Sequence, residues 1–205
     1  MPDPNKIYYG IKKLHFWEYI VDPETGAVSF GAPYHQQSAR NFGPDQDSNF
    51  EDISADDTIW DTDATEGPIT GDIEVVRYDD DFKTRFLGYV RTVAGGLGKP
   101  INPVKPHVCV AFEYSGDKSN RREVLYNVAL GNITREFETT TRESKNVKYD
   151  TLNIRAIGDA ASGLYHEVFK PGDQGYDVLF TAPIVPQIAT NQSGNNQSGN
   201  NQSGN

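Results

Sequence analysis

The amino-acid sequence predicts a mainly β fold with one short α-helix, a long acidic loop and a flexible C-terminal tail. Three observations indicate this fold class. Apolar and polar residues alternate in several long runs, clusters of Gly, Pro, Asn and Asp separate these runs, and aromatic residues make up 11% of the 205 residues. A hydrophobic content of 36% suits one domain with a modest core. We place this β domain at residues 1–186 and the tail at residues 187–205.

The first strand is predicted over residues 7–20. Its apolar side chains change from one face to the other at Lys12 and Lys13, which predicts a β-bulge. Residues 22–26 contain Pro and Gly and form a predicted turn. A short second strand is expected to return over residues 27–30.

Residues 33–68 are polar and acidic, with few apolar residues, among them Phe42, Phe50 and Trp60. Loops longer than about 12–15 residues are uncommon unless they are functional or disordered. Composition leaves two interpretations open. The segment is either an arm that becomes ordered on a neighbouring subunit or a mobile surface loop with one strand in it.

A further strand is predicted over residues 69–78, and the predicted helix follows it. Asp79 can cap the helix by accepting backbone N–H bonds, and Phe82 and Phe86 recur at helical spacing before Gly88 ends the helix. The capped helix start accounts for three adjacent Asp residues better than a calcium site does, because no EF-hand spacing is present.

The strongest strand signal lies in residues 108–157. Two alternating runs flank a charged turn at residues 115–120, a Thr- and Glu-rich connection follows, and a third run contains Leu152, Ile154 and Ala156. This pattern predicts a long hairpin followed by another long strand.

Three other segments have weaker signals. Residues 90–106 are rich in Gly and Pro and form a predicted loop, in which the phosphate-binding motif fails at two positions. Short strands are predicted at residues 164–169 and 176–180. The tail ends in three copies of the uncharged sequence Asn-Gln-Ser-Gly-Asn, which cannot bury enough apolar surface to offset the entropy of ordering.

Charge is distributed unevenly along the chain. Residues 43–81 contain 14 Asp or Glu and one basic residue, Arg77, which gives this segment a net charge of −13. The rest of the chain carries +3, so the net charge of the whole chain is −10. Proteins that wrap nucleic acid need clustered Lys and Arg, so this distribution argues against that class. The acidic segment is either a solvated loop or a surface that repels passing DNA or docks on a basic partner. Its candidate residues are Asp56, Asp57, Asp61 and Asp63.

No motif for catalysis or for a cofactor occurs. The four His residues lie far apart, and the pair His107 and Cys109 alone does not make a tetrahedral metal site. Cys109 lies in an apolar run and is predicted to be a buried thiol. Neither a signal peptide nor an apolar run of about 20 residues is present, so we expect no membrane insertion. The sequence predicts no enzyme, no cofactor and no metal.

Three segments, in the same order along the chain, carry a family resemblance. They are NKIYYGIKKLHFWEY at residues 5–19, GDIEVVRYDDDFKTRFLG at residues 71–88, and the hairpin GDKSNRREVLYN with the following TRESKNVKYDTLNIRA. Together they resemble the major tail protein family of long-tailed, non-contractile phages of Gram-positive bacteria. The resemblance covers roughly half of the chain.

The resemblance implies a β-sandwich or half-barrel of the tail tube type, with one flanking helix. It also implies hexameric rings whose strands join across subunits and which stack into the tail tube. Genomic DNA would pass through the lumen without specific binding. The implied partners are other copies of the chain and the tape measure, terminator and distal tail proteins. The implied location is the virion tail, after assembly in the host cytoplasm.

For the subunit contacts, we predict that Arg121 and Arg122 meet acidic residues of a neighbour, with a solvated turn as the alternative. Phe42, Phe50 and Trp60 are candidate contacts of the predicted arm. A hypothesis from another class is a monomeric β-sandwich module that binds carbohydrate or a host surface, with exposed Trp17 and Trp60 and the Tyr residues as stacking platforms.

Overall fold

A computed structural model describes residues 10–55, 58–136 and 148–188. The mainly β prediction is confirmed, since these ranges contain one helix and eleven strands. The strands are β1 (Gly10–Val21), β2 (Val28–Phe30), β3 (Tyr34–Gln36), β4 (Ala39–Ala55), β5 (Thr58–Val75), β6 (Val90–Arg91), β7 (Leu97–Gly98), β8 (Val108–Ser115), β9 (Arg122–Arg135), β10 (Asp150–Ala156) and β11 (His166–Phe169). The helix is α1 (Asp80–Phe86).

Nine of the strands form one antiparallel sheet. Its order is β2-β1-β8-β9-β10-β5-β4, while β3 also pairs with β1 and β11 also pairs with β9. The sheet curls so that the start of β4 approaches β1. Gly10 packs on the carbonyl oxygen of Arg40, where a Cβ would collide, and the rings of Phe42 and Phe112 meet edge to face at 5.4 Å. Because the pairing of these described strands runs through one sheet, the shape is closer to a half-barrel than to a two-sheet sandwich.

The main core fills the inside of this curl, and α1 lies against it. Phe82 and Phe86 of the helix are fully buried, and the ring of Phe82 packs edge-on against Phe16 of β1 at 4.9 Å. Burial of each such side chain contributes about 1.5–3 kcal/mol. Asp79 accepts a 2.8 Å hydrogen bond from the backbone N–H of Phe82, and Gly88 has φ +68° just beyond the helix. The predicted capped helix and its glycine stop are confirmed.

A smaller core lies on the opposite face of the sheet, beneath the C-terminal segment. Trp17, Cys109 and Tyr126 of the sheet are fully buried there with Leu179. The predicted burial of Cys109 is confirmed, and burial raises the pKa of its thiol. Trp17 is not exposed, so its predicted role as a stacking platform is wrong.

The predicted strand over residues 176–180 is also wrong, because this segment forms turns. The backbone N–H of Tyr176 bonds to the carbonyl of Asp173, and that of Thr181 bonds to the carbonyl of Val178. Tyr176 and Leu179 are three residues apart and both face the sheet. A short apolar run is compatible both with this three-residue spacing and with the alternation of a strand. Periodicity alone therefore does not distinguish turns from a strand in this segment.

Several other predictions are confirmed. Lys13 has φ +53°, and the pairing of β1 with β8 shifts between Lys12 and His15, as expected for a bulge. The long hairpin is β8 and β9, and the following strand is β10. The predicted strand at residues 164–169 is present as β11. The predicted tail, apart from residues 187 and 188, and most of the Thr- and Glu-rich connection lie outside the described residues.

The long acidic loop predicted over residues 33–68 is corrected, because most of it is strand. β4 and β5 have 17 and 18 residues and form one antiparallel hairpin. The base of β5 is held in the sheet by β10, through the pairs from Val75 with Asp150 to Ile69 with Ala156. Polar residues can extend an anchored ladder in this way, since β-propensity depends strongly on context.

None of the described residues belongs to a helix long and apolar enough to cross a membrane.

Candidate assembly surface

The outer half of the β4–β5 hairpin projects beyond the sheet. We call residues 47–55 and 58–66 the ribbon. Every side chain of the ribbon whose burial is described is exposed, and the two strands pair as far as Ala55 with Thr58. At roughly 3.4 Å per residue, the ribbon is about 30 Å long. A two-stranded hairpin without a third strand or a core is only marginally stable in water.

Apolar side chains on the ribbon are exposed. Phe50 is 67% exposed, Ile53 53%, Ile59 63% and Trp60 79%. Phe50 and Ile53 lie on opposite faces, because successive side chains of a strand alternate. Both faces of the ribbon therefore present apolar surface to water, which is typical of a segment that packs on a partner.

The ribbon is also strongly acidic. No Lys, Arg or His occurs from residue 41 to residue 76. The register places Glu51 directly opposite Asp63, and like charges in that arrangement destabilise a strand pair. A smaller compensating contact is the 2.8 Å hydrogen bond from the Thr62 hydroxyl to Asp52. Docking against a cationic surface would relieve the repulsion.

The structure places the predicted contact residues in different environments. Phe50 and Trp60 lie on the ribbon, and so do Asp61 and Asp63. Phe42 lies at the base of β4 and is 8% exposed, because its partner Ile73 faces the core. Phe42 is therefore not available for a subunit contact. Asp56 and Asp57 lie outside the described residues.

Arg121 has a partner within the chain. Its Nε donates a 2.9 Å hydrogen bond to Asp117, whose side chain is buried and also accepts the backbone N–H groups of Ser119 and Arg121. These bonds hold the turn of the β8–β9 hairpin. A contact of Arg121 with a neighbouring subunit stays a prediction.

Arg122 clamps the C-terminal segment onto the sheet. Its guanidinium carbon lies 3.8 Å from the centre of the Tyr176 ring and 4.6 Å from that of Phe180. Its Nε lies 3.3 Å from Glu113, which Lys12 and Lys13 also contact at 2.9 Å. The Arg122 side chain is 13% exposed, so little of it is left for a neighbour. Its predicted intermolecular contact also stays untested.

A cleft of about 450 Å³ lies where β4 approaches β1 and β8. Its walls are mainly apolar, and its one carboxylate is Glu123. Tyr114 donates a hydrogen bond to one oxygen of Glu123, and the Nδ1 atom of His166 lies 2.7 Å from the other. Both oxygens are thus engaged. The described residues contain no group of three or more His, Cys, Asp or Glu that could hold a metal ion.

No protein-family model matches the chain, and no curated protein matches it either.

Proposed function

We propose that this chain is a structural virion protein, the major tail protein of a long-tailed phage without a contractile sheath. Its copies would form hexameric rings that stack into the tail tube, and genomic DNA would leave through the lumen. The motif resemblance supports this identity. The observation that carries the proposal is the ribbon, a long, paired and fully exposed hairpin with apolar side chains on both faces.

Strand edges supply a means of closing the rings. In the described part of the chain, β11 pairs only with β9, which leaves its other edge open. Open edges are an aggregation hazard in a monomer, whereas a ring in which neighbours complete each other's sheets removes them. A head-to-tail contact of this kind closes into a ring when its rotation closes.

The charge distribution suits a conduit for DNA. A protein with an excess of acidic residues does not retain a polyanion, because binding DNA requires cations that replace its counterions. Acidic residues that face the lumen would let DNA slide without binding.

Sedimentation velocity of the purified chain over a hundredfold range of concentration tests the proposal. We expect the monomer to give way to ring-sized and then much larger species as concentration rises. A single monomer boundary throughout would favour the alternative, a module that binds carbohydrate or a host surface. For that alternative, Trp60 is the remaining exposed indole platform among the described residues.

A further inference from the structure

The loop between α1 and β8 differs from the rest of the surface in both charge and polarity. We call residues 90–106 the basic loop. It contains Arg91, Lys99 and Lys105 and no Asp or Glu. It also carries the three most exposed large apolar side chains of the described residues, which are Val93, Ile101 and Val104 at 110%, 98% and 88%. Such a cluster of exposed apolar groups is typical of an interaction surface.

The cations of the basic loop have neutral partners. The Nζ atoms of Lys99 and Lys105 converge on the side-chain oxygen of Asn132, at 3.0 and 3.4 Å. Lys105 also donates to the backbone carbonyls of Leu130, at 3.1 Å, and Gly131. Burial lowers the pKa of Lys105, and the like charge of Lys99 lowers it further. Within the described ranges, no carboxylate pairs with these cations, so an incoming acidic surface would be favourable.

The basic loop and the ribbon are separated along the strand direction of the sheet. The register aligns Ile73 of β5 with Leu152 and Ile133, and aligns Ile69 with Ala156 and Val128. From Ile69, β5 continues into the ribbon in the direction away from Ile73, beyond the end of β10. The basic loop is anchored at residues 130–132, on the other side of Val128. Contact between the two surfaces therefore requires two copies of the chain.

We propose that the ribbon of one copy docks on the basic loop of the next copy along the tube. On the ribbon face that carries Phe50, Asp52 and Glu66 would lie near the cations of the basic loop. Phe50 and Trp60 would cover its exposed aliphatic side chains. This inference rests on the proposed stacking of rings and names the surface that receives the ribbon. One contact repeated in the same sense gives an open polymer, as a tube requires.

The cations of β1 and of the β8–β9 hairpin that lie near Glu113 and Asp117 are a poorer match for the ribbon. Lys12, Lys13 and Arg122 surround the buried Glu113, and Arg121 is paired with Asp117. Their charge is thus partly neutralised within the chain. The turn of this hairpin also lies at the same end of the sheet as the ribbon, so it is unsuited to receive a ribbon from a copy stacked end to end.

Charge reversal tests the docking. The double variant R91E/K99E changes two exposed cations, and we expect it to raise the critical concentration for polymer formation at least tenfold. Adding D52K/E66K, on the ribbon face that carries Phe50, restores complementarity, so the fourfold variant should regain most of the assembly. The matched control R155E alters an exposed arginine outside both surfaces, on a strand whose two edges are paired, and should leave the critical concentration unchanged. Thermal unfolding of each variant checks that the subunit is folded.

A cross-link tests the contact directly. With cysteines at Ile59 and Ile101, mild oxidation of the polymer should give a ladder of covalent oligomers, whereas the control pair I59C/V178C, with a half-exposed second position outside the proposed contacts, should not. The native Cys109 is fully buried and does not interfere. Polymers that are insensitive to R91E/K99E and give no ladder would overturn the docking while leaving the proposed function intact. A wild-type chain that never polymerises would overturn both.

Discussion

Trp60 and Phe42 belong to the same hairpin but have opposite environments. Trp60 is 79% exposed and Phe42 is 8% exposed. We expect Trp60→Ala to change the free energy of unfolding of the subunit by less than about 0.5 kcal/mol, as exposed substitutions usually do. The same variant should raise the critical concentration for assembly about tenfold, because a contact worth about 1.4 kcal/mol would be lost.

Phe42→Ala is the matched comparison. Truncation of a buried Phe costs about 3–5 kcal/mol, so this variant should lower the stability of the subunit itself. Chemical denaturation of the monomer and sedimentation of the polymer separate the two effects. A Trp60→Ala subunit that is as destabilised as Phe42→Ala would show that the ribbon packs on its own chain.

Arg122 holds the C-terminal segment through two ring contacts and an ion pair with Glu113. We expect Arg122→Ala to lower the free energy of unfolding by about 2 kcal/mol, the sum of typical cation–π and charged hydrogen-bond contributions. Limited proteolysis with chymotrypsin should then cleave faster after Tyr176 and Phe180, whose rings pack on Arg122 in the wild type. Equal cleavage rates in Arg122→Ala and the wild type would contradict the clamp.

Asp150 makes the stability of the fold depend on pH. Its burial alone would raise the pKa of the carboxyl group, but hydrogen bonds from Arg135, at 2.5 Å to each oxygen, and from the backbone N–H of Tyr78 outweigh this effect and lower the pKa. The resulting stabilisation is complete above the unfolded value of about 3.9 and is lost as the pH falls through the folded pKa.

The variant Asp150→Asn tests this dependence of stability on pH. The substitution should lower the free energy of unfolding by about 2–4 kcal/mol at pH 7, because the ion pair between Arg135 and the Asp150 carboxylate is lost. The variant should also lose less additional stability than the wild type between pH 5 and pH 3. Urea denaturation at several pH values measures both effects. Parallel pH profiles would contradict the assignment to Asp150.

At the scale of elements, the ribbon should be separable from the fold. Replacing residues 49–65 by Asn-Gly joins Ser48 to Glu66, which are already paired, with a favourable two-residue turn. We expect the shortened subunit to fold with a melting temperature within a few degrees of the wild type and to form no tubes. Circular dichroism and sedimentation give the two readouts. Tubes of normal length from this variant would rule out the ribbon as the stacking element.

Local signals explain which elements the sequence predicts correctly. The cap at Asp79 and the alternation in β8, β9 and β10 lie within short stretches of chain, so they could be recognised without knowledge of the fold. The ribbon lacks apolar alternation, because both of its faces meet water in the isolated subunit. Its strands are specified by pairing with each other and by the anchor at residues 69–75, and sequence patterns do not show such pairing.

The candidate assembly surface could also be predicted only in part, because sequence patterns do not show strand pairing. Composition alone identified Phe50, Trp60 and the acidic residues of the segment. The opposition of Glu51 and Asp63 depends on strand register, which is known only from the fold. Phe42 was predicted to be a subunit contact, but it is buried, because its pairing partner in β5, Ile73, faces the core.

At the scale of the whole molecule, an acidic ribbon with exposed apolar side chains projects from one end of the curled sheet, and a basic loop with exposed apolar side chains is anchored farther back along the strands. A subunit built in this way is suited to joining end to end with identical copies. Among the described strands, β11 pairs only with β9, and the proposed rings would use its second edge for lateral contact. Stability of the single subunit then comes from its two cores, whereas the proposed function depends on surfaces that the single subunit leaves exposed.

Electron microscopy of the purified chain at high concentration tests this account most directly. We expect rings with sixfold symmetry that stack into hollow tubes of uniform diameter. Isolated particles of single-subunit size at every concentration would contradict it.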